Sequence, residues 1–123
     1  MILVVDDDAA VRATISRALS ELGYAVVEAA DGPTALGLVS DDRIDLVVLD
    51  YVMPGMDGAE VAREIARIDP DLPIIFSTGH AALRALRSAT GDEVSILHKP
   101  FTLDELDELL RERLLERRRA KSL

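Results

Sequence analysis

The chain has 123 residues, of which 49% are apolar, and it carries a formal net charge of −9. This length suits one domain with one hydrophobic core, and the apolar fraction excludes a disordered chain. The lack of cysteine excludes disulfides and thiolate metal sites, which agrees with the cytoplasmic location that we expect. No apolar run approaches the roughly 20 residues of a membrane span. An acidic chain repels nucleic-acid phosphates, so we expect neither nucleic acid nor a membrane as a direct partner.

Basic residues are concentrated near the end of the chain. Between Arg111 and Lys121 there are six basic residues and two acidic ones. We predict that residues 109–123 form the end of an amphipathic helix with a basic tail. This tail could bind anions or a partner, but a solvated helix end that complements the negative pole of the helix dipole is the favoured interpretation.

The first half of the chain alternates predicted strands with predicted helices. Short β-branched apolar runs are typical of buried strands, whereas apolar residues three or four positions apart indicate a helix. The strands are predicted at 2–5, 25–29 and 45–49. The first helix is predicted from Val11, Ile15, Leu19 and Leu22, with the Asp8 carboxylate at its N-terminus and Gly23 as its C-terminal cap. A short second helix is predicted to start at Pro33 and to continue over 35–39.

The second half continues the same alternation. Asp57 with Glu60, and Thr102 with Glu105, have the spacing of residues that cap a helix N-terminus. Strands are predicted at 74–76 and 94–97, and an alanine-rich helix at 81–89. The buried face of the third helix is predicted to be Val61, Ile65 and Ile68, and that of the last helix Leu103, Leu106, Leu110 and Leu114.

Five strands alternating with five helices predict an α/β fold with a doubly wound parallel sheet, of the flavodoxin-like kind. The strand order 2-1-3-4-5 suits this length. Ligands bind such sheets beyond the C-terminal ends of the strands, where the strand order reverses between strands 1 and 3. Asp6 and Asp7 follow strand 1, and Asp50 follows strand 3. We therefore expect these carboxylates to converge.

The converging side chains suggest a metal and phosphate site. Carboxylates about 4 Å apart repel by roughly 4 kcal/mol per pair at an effective dielectric of 20, so a cation or proton is needed. Oxygen ligands alone favour Mg²⁺, or Mn²⁺, over zinc. The Thr78 hydroxyl and the Lys99 ammonium group are placed to contact phosphoryl oxygens. A carboxylate such as Asp50 can act as a nucleophile toward phosphorus.

These residues also resemble a known family. The motifs are Val-Val-Asp-Asp at 4–7, Leu-Asp at 49–50, Met-Pro-Gly-Met-Asp-Gly at 53–58, Thr-Gly at 78–79 and Lys-Pro-Phe at 99–101. Together they look like the receiver domain of bacterial two-component response regulators, over essentially all of residues 1–123. Each motif alone is weak, but their combination, order and spacing are specific.

The resemblance implies a role for each site residue. Asp50 would be the phosphoacceptor, charged by a histidine kinase or a histidine phosphotransfer protein. Asp7, Asp50 and the backbone carbonyl of Val52 would bind Mg²⁺ directly, and Asp6 largely through water. Thr78 and Lys99 would sense the phosphoryl group. The Lys99–Pro100 peptide bond is often cis in this family.

The implied function is a switch for protein contacts rather than a general enzyme. The chain would catalyse at most its own phosphorylation and dephosphorylation, and would act on a downstream protein as a monomer or a phosphorylation-dependent dimer. We expect a single-domain response regulator. One alternative is a receiver module of a hybrid kinase or transcription regulator. A Mg²⁺-dependent aspartyl phosphohydrolase is disfavoured, because that chemistry wants a second Asp where Val52 stands.

Three positions depart from the commonest receiver pattern. Ile96 occupies a place where many members have Tyr or Phe, so an aromatic switch is not available there. Val52 cannot orient a hydrolytic water, whereas His80 could. In the family, the positions of Val52 and His80 tune the lifetime of the acyl phosphate. We therefore predict a longer-lived phosphoryl group than in members with a polar residue in place of Val52.

Overall fold

The computed structural model describes residues 1–41, 43–53, 55, 57–79 and 95–122, except for the side chains of residues 98 and 120–122. The predicted helix at 81–89 and the site candidate His80 lie outside this part of the chain. The five strands are β1 (Ile2–Val5), β2 (Val26–Ala29), β3 (Leu46–Asp50), β4 (Ile74–Thr78) and β5 (Ser95–His98). The described helices are α1 (Ala9–Glu21), α2 (Gly32–Asp41), α3 (Gly58–Ile68) and α4 (Leu103–Ser122).

The strands form one parallel sheet in the order β2-β1-β3-β4-β5, which confirms the predicted topology. Asp50 lies opposite Ser77, and Thr78 lies opposite His98, so the C-terminal strand ends lie along one edge. This is the edge at which Asp6 and Lys99 leave β1 and β5. Parallel pairing therefore collects the predicted site residues on one side of the sheet.

Two hydrophobic layers cover the sheet because side chains alternate between the faces of each strand. Leu3 and Val5 of β1 belong to the layer that α2 and α3 cover, whereas Ile2 and Val4 belong to the layer under α1 and α4. All four residues are nearly inaccessible to solvent. Burial on both faces explains why β1 is apolar throughout and why β3 is apolar from Leu46 to Leu49.

The predicted helix caps are confirmed. The Asp8 carboxylate accepts from the amides of Ala10 and Val11 at the start of α1, and Gly23 follows the C-cap with a positive φ of 94°. The Asp57 carboxylate accepts from the Glu60 amide at 2.8 Å. At the start of α4, Thr102 Oγ1 accepts from the Glu105 amide and donates to the Glu105 carboxylate, both at 3.1 Å.

Two predicted core positions are wrong. Ile68 is 44% exposed and Leu103 is 41% exposed. Each is a terminal residue of its helix. The helical spacing of apolar residues reaches these ends, but the turns that pack on the sheet do not. The predicted second helix, from Pro33 to Val39, was also slightly too short, since α2 covers Gly32–Asp41.

The basic tail is not a fully solvated helix end. Arg117 is only 7% exposed, and its Nη2 atom donates to Asp69 Oδ2 at 2.9 Å and to the Ile44 carbonyl at 3.5 Å. These contacts tie the second half of α4 to the residue that follows α3 and to Ile44, two residues before β3. Among the described residues, no helix is both long and apolar enough to cross a membrane.

Candidate metal centre

Three carboxylates meet at the C-terminal edge of the sheet. Asp6 and Asp7 directly follow β1, and Asp50 is the last residue of β3. Each offers one carboxylate oxygen, and these three atoms lie within 4.8 Å of one another. Asp6 and Asp50 are buried, whereas Asp7 is exposed and leaves the site open to solvent on one side.

The Asp6 carboxylate bridges two elements. Its Oδ1 atom accepts from the Asp8 amide at 3.0 Å, at the start of α1. Its Oδ2 atom accepts from Lys99 Nζ at 3.4 Å. Asp6 is therefore held on both sides, which fixes one wall of the site.

Lys99 places a positive charge between two of the carboxylates. Its Nζ atom lies 3.5 Å from Asp50 Oδ1 and 3.4 Å from Asp6 Oδ2. The Lys99 amide donates to the Thr78 carbonyl at 2.8 Å, which anchors the main chain ahead of the cis peptide bond to Pro100. One ammonium group thus compensates part of the charge of the acidic cluster.

Burial raises the pKa of Asp50 above its ordinary value. Lys99 opposes this shift, Asp6 adds to it by repulsion, and the Val52 amide, which donates to Asp50 Oδ1 at 3.4 Å, opposes it weakly. Compared with water, the surroundings of Asp50 therefore favour its protonated form over the ionised carboxylate. A cation at this position would lower the pKa and restore the balance.

The loop after β3 is packed tightly against α3. The Gly58 amide donates to the Tyr51 carbonyl at 2.8 Å, and a Cβ atom at Gly58 would lie 2.7 Å from Tyr51 Cα. Val52 follows with 59% of its surface exposed. The loop thus fixes the main chain next to Asp50 while leaving the Val52 side chain in solvent.

Comparison with known proteins decides the family. The family model described as "Response regulator receiver domain" matches residues 2–111. The chain belongs to the response regulator receiver domain family. Receiver domains of response regulators interact with histidine kinases, and they generally bind Mg²⁺ at an acidic pocket.

This receiver domain is similar to longer response regulators and to solved receiver domains. Response regulator MprA of Mycolicibacterium vanbaalenii is 48% identical over 120 residues, which are 95% of this chain and 50% of the relative. The receiver domain of NtrX from Brucella abortus is 32% identical with a TM-score of 0.86, and covers 93% of this chain and 98% of that one. A CheY-like receiver domain protein from Methanospirillum hungatei is 28% identical with a TM-score of 0.85, over 97% and 96% of the two chains.

The donor set of this receiver domain fits a hard divalent cation. In the described part of the chain, the three grouped ligand atoms are all carboxylate oxygens, and one side is open to water. This suits Mg²⁺, because the ion keeps several waters when bound. Charges 4.8 Å apart repel by about 3–4 kcal/mol at an effective dielectric of 20. With the three carboxylates ionised and Lys99 protonated, three negative charges and one positive charge leave a net charge of −2, which a divalent cation would neutralise. Asp6, Asp7 and Asp50 would hold the ion, and the carbonyl of Val52 remains a predicted ligand.

The other predicted site residues lie near the carboxylate cluster or outside the described part of the chain. Thr78 is buried at the end of β4, one strand from Asp50, and its hydroxyl donates to the Gly79 carbonyl at 3.3 Å. Ile96 is partly buried on β5 opposite Phe76 and packs against the layer under α2 and α3. The sensing role of Thr78 and the tuning roles of Val52, His80 and Ile96 stay predictions.

Sequence reasoning missed Arg12. Its Nη1 atom donates to the main-chain oxygen of Asp6 at 2.7 Å, and its Nε atom donates to Glu28 Oε1 at 3.0 Å. The only signal in the sequence was its place one helical turn after the cap residue Asp8. That spacing does not reveal a contact with Glu28 on a neighbouring strand.

Proposed function

We propose that Asp50 accepts a phosphoryl group from a phosphohistidine of a histidine kinase or of a histidine phosphotransfer protein. The observation that carries the proposal is the position of Asp50 at the end of the central strand, within 3.5 Å of Lys99 and grouped with Asp6 and Asp7. An anionic nucleophile, a fixed cation and a metal-binding pair of carboxylates are the groups that phosphoryl transfer needs.

The transfer forms one bond and breaks one. An oxygen of the ionised Asp50 carboxylate attacks phosphorus, the phosphorus–nitrogen bond of the donor breaks, and its electron pair leaves with the imidazole. Lys99 is close enough to the Asp50 carboxylate to contact a phosphoryl oxygen bonded to it. A bound Mg²⁺ would supply further positive charge for the phosphoryl oxygens.

We infer that the phosphorylated domain acts by changing protein contacts and not by turning over another substrate. Phosphorylation adds negative charge beside Lys99 and one strand from Thr78. Movement of these two side chains toward the new group would bias the surface formed by the predicted helix at 81–89, β5 and α4. Its target is a protein, and the domain acts as a monomer or as a phosphorylation-dependent dimer.

Two arrangements of the domain are candidates. A single-domain regulator would pass its signal by direct contact or by further phosphotransfer. The chain, however, spans about half the length of the curated relatives that it matches, which favours a receiver module of a longer regulator as the second candidate. An immunoblot of the endogenous protein with an antibody to α4 separates them, because a module runs at about twice the mass of this chain.

Phosphotransfer from a panel of purified, labelled histidine kinases tests the main proposal. We expect rapid Mg²⁺-dependent labelling of the wild-type chain and none of Asp50→Asn. Asp57→Asn is a matched control, since Asp57 caps α3 from the same loop without belonging to the carboxylate cluster. Labelling of Asp50→Asn, or loss of labelling in both variants, would contradict the assignment of Asp50.

A further inference from the structure

Arg12 connects three elements beside the carboxylate cluster. It lies in the first turns of α1, and its side chain is only 18% exposed. One nitrogen donates to the Asp6 carbonyl at 2.7 Å, at the end of β1, and another to Glu28 Oε1 at 3.0 Å, on β2. A partly buried guanidinium that donates from two nitrogens to two separate acceptors has less conformational freedom than an exposed one.

The contacts of Arg12 fall on the segment that carries the metal ligands. The Asp6 amide donates to the Ala29 carbonyl at 3.2 Å, and the Asp8 amide donates to Asp6 Oδ1 at 3.0 Å. Asp7 lies between these anchored residues, exposed to solvent. Since the Asp6 carbonyl belongs to the peptide unit that leads into Asp7, a bond that fixes this carbonyl also limits where the Asp7 carboxylate can point.

We propose that Arg12, held by Glu28, is a positioning residue for cation binding by Asp6 and Asp7. It does not touch the ion. It orients the peptide between the two ligands before the cation binds, which reduces the conformational entropy lost on binding. The inference rests on the proposed function, because it assumes that the carboxylate cluster binds Mg²⁺. Partners that orient metal ligands commonly change affinity by roughly 10–100-fold.

Lysine at position 12 separates geometry from charge. A positive charge near the cluster repels a cation, so removal of the charge would strengthen binding even if the geometry suffered. Arg12→Lys keeps the charge. Its single nitrogen on a flexible stem cannot reproduce two bonds made by separate nitrogens of a planar group. Arg17→Lys is the matched control, because Arg17 is an exposed residue of the same helix.

The experiment is a titration with Mn²⁺ followed by electron paramagnetic resonance, at low and at moderate salt, with Mg²⁺ competition. We expect Arg12→Lys to bind about tenfold more weakly than wild type at both salt concentrations. Glu28→Gln should weaken binding in the same direction, and Arg17→Lys should match wild type. Urea unfolding of each metal-free variant shows that all are folded under the titration conditions.

The outcomes distinguish the two proposals. If Arg12→Lys binds Mn²⁺ as wild type does, or loses only unfolding free energy, the positioning role is wrong. If Glu28→Gln is unchanged while Arg12→Lys is weakened, the part assigned to Glu28 is wrong. If wild type does not bind Mn²⁺, or Asp7→Asn does not weaken binding, the metal site of the proposed function fails, whatever Arg12 does.

Discussion

Replacement of Gly58 by alanine should destabilise the domain through one close contact. Gly58 begins α3, and its main chain lies directly against the loop that follows Asp50. A Cβ atom there would lie 2.7 Å from Tyr51 Cα, 2.9 Å from the Asp50 carbonyl oxygen and 3.1 Å from the Tyr51 carbonyl oxygen. These neighbours are backbone atoms, which cannot rotate away as a side chain would.

The size of the effect follows from the distances. Carbon atoms in contact prefer about 3.5–4.0 Å, so the Cβ atom and Tyr51 Cα must separate by roughly 0.8–1.3 Å. Overpacking of this kind costs about 1–3 kcal/mol, whereas alanine gains up to about 1 kcal/mol over glycine in a helix. We expect a net loss of about 1–2 kcal/mol. The displaced main chain includes Asp50, so Mn²⁺ affinity should also fall.

Gly37→Ala provides the matched control. Gly37 lies exposed within α2, and a Cβ atom there meets nothing within 4 Å. Alanine should therefore stabilise the domain by about 0.5–1 kcal/mol. Urea unfolding, followed by circular dichroism and extrapolated linearly, measures both variants. Equal stability of Gly58→Ala and wild type would refute the close approach of α3 to the Asp50 loop.

Three further predictions concern charge and lifetime. Burial raises the pKa of Asp50 above its ordinary value of 3.8, so folding stability should fall as pH rises from that value through the folded pKa. Asp50→Asn should therefore raise Tm at neutral pH in chelator, and an unchanged Tm would contradict this. Val52→Asn should shorten the lifetime of the acyl phosphate, since an amide at this exposed position can orient water, while Val52→Leu should not. Equal decay rates of the two variants would contradict a role of position 52 in hydrolysis. Arg117→Ala should cost about 2–3 kcal/mol in unfolding free energy, because it breaks a largely buried pair with Asp69. The Arg111 side chain is 73% exposed on the same helix, so Arg111→Ala should cost at most about 0.5 kcal/mol. Equal losses would contradict the anchoring of α4.

Much of the site could be predicted because it depends on order along the chain. The short apolar runs predicted the five strands, and parallel pairing then brought Asp6, Asp7 and Asp50 to one edge. The caps at Asp8 and Asp57 could also be predicted from the sequence, because each hydrogen bond joins residues only two or three positions apart. Such features need no knowledge of which distant residues pack together.

Other features could not be predicted, because they join residues far apart in the chain. Arg12 meets Glu28 across 16 positions, and Arg117 meets Asp69 across 48. In the sequence, Arg117 is one of several basic residues in a tail, with nothing to mark it as buried. Gly58 likewise reads as an ordinary loop glycine until α3 is packed against Tyr51.

Three features follow from the amino-acid sequence: the alternation of strands and helices, the parallel order of the sheet and the identity of the three carboxylates. Continuous apolar runs mark the buried strands, and the helices between successive strands require parallel pairing with right-handed crossovers. Three other features come from the packing of distant elements: Lys99 lies between Asp6 and Asp50, Arg12 donates to the carbonyl of the peptide leading to Asp7, and the tail arginine Arg117 is buried. These depend on how close and at what angle distant elements pack, which the sequence pattern does not specify.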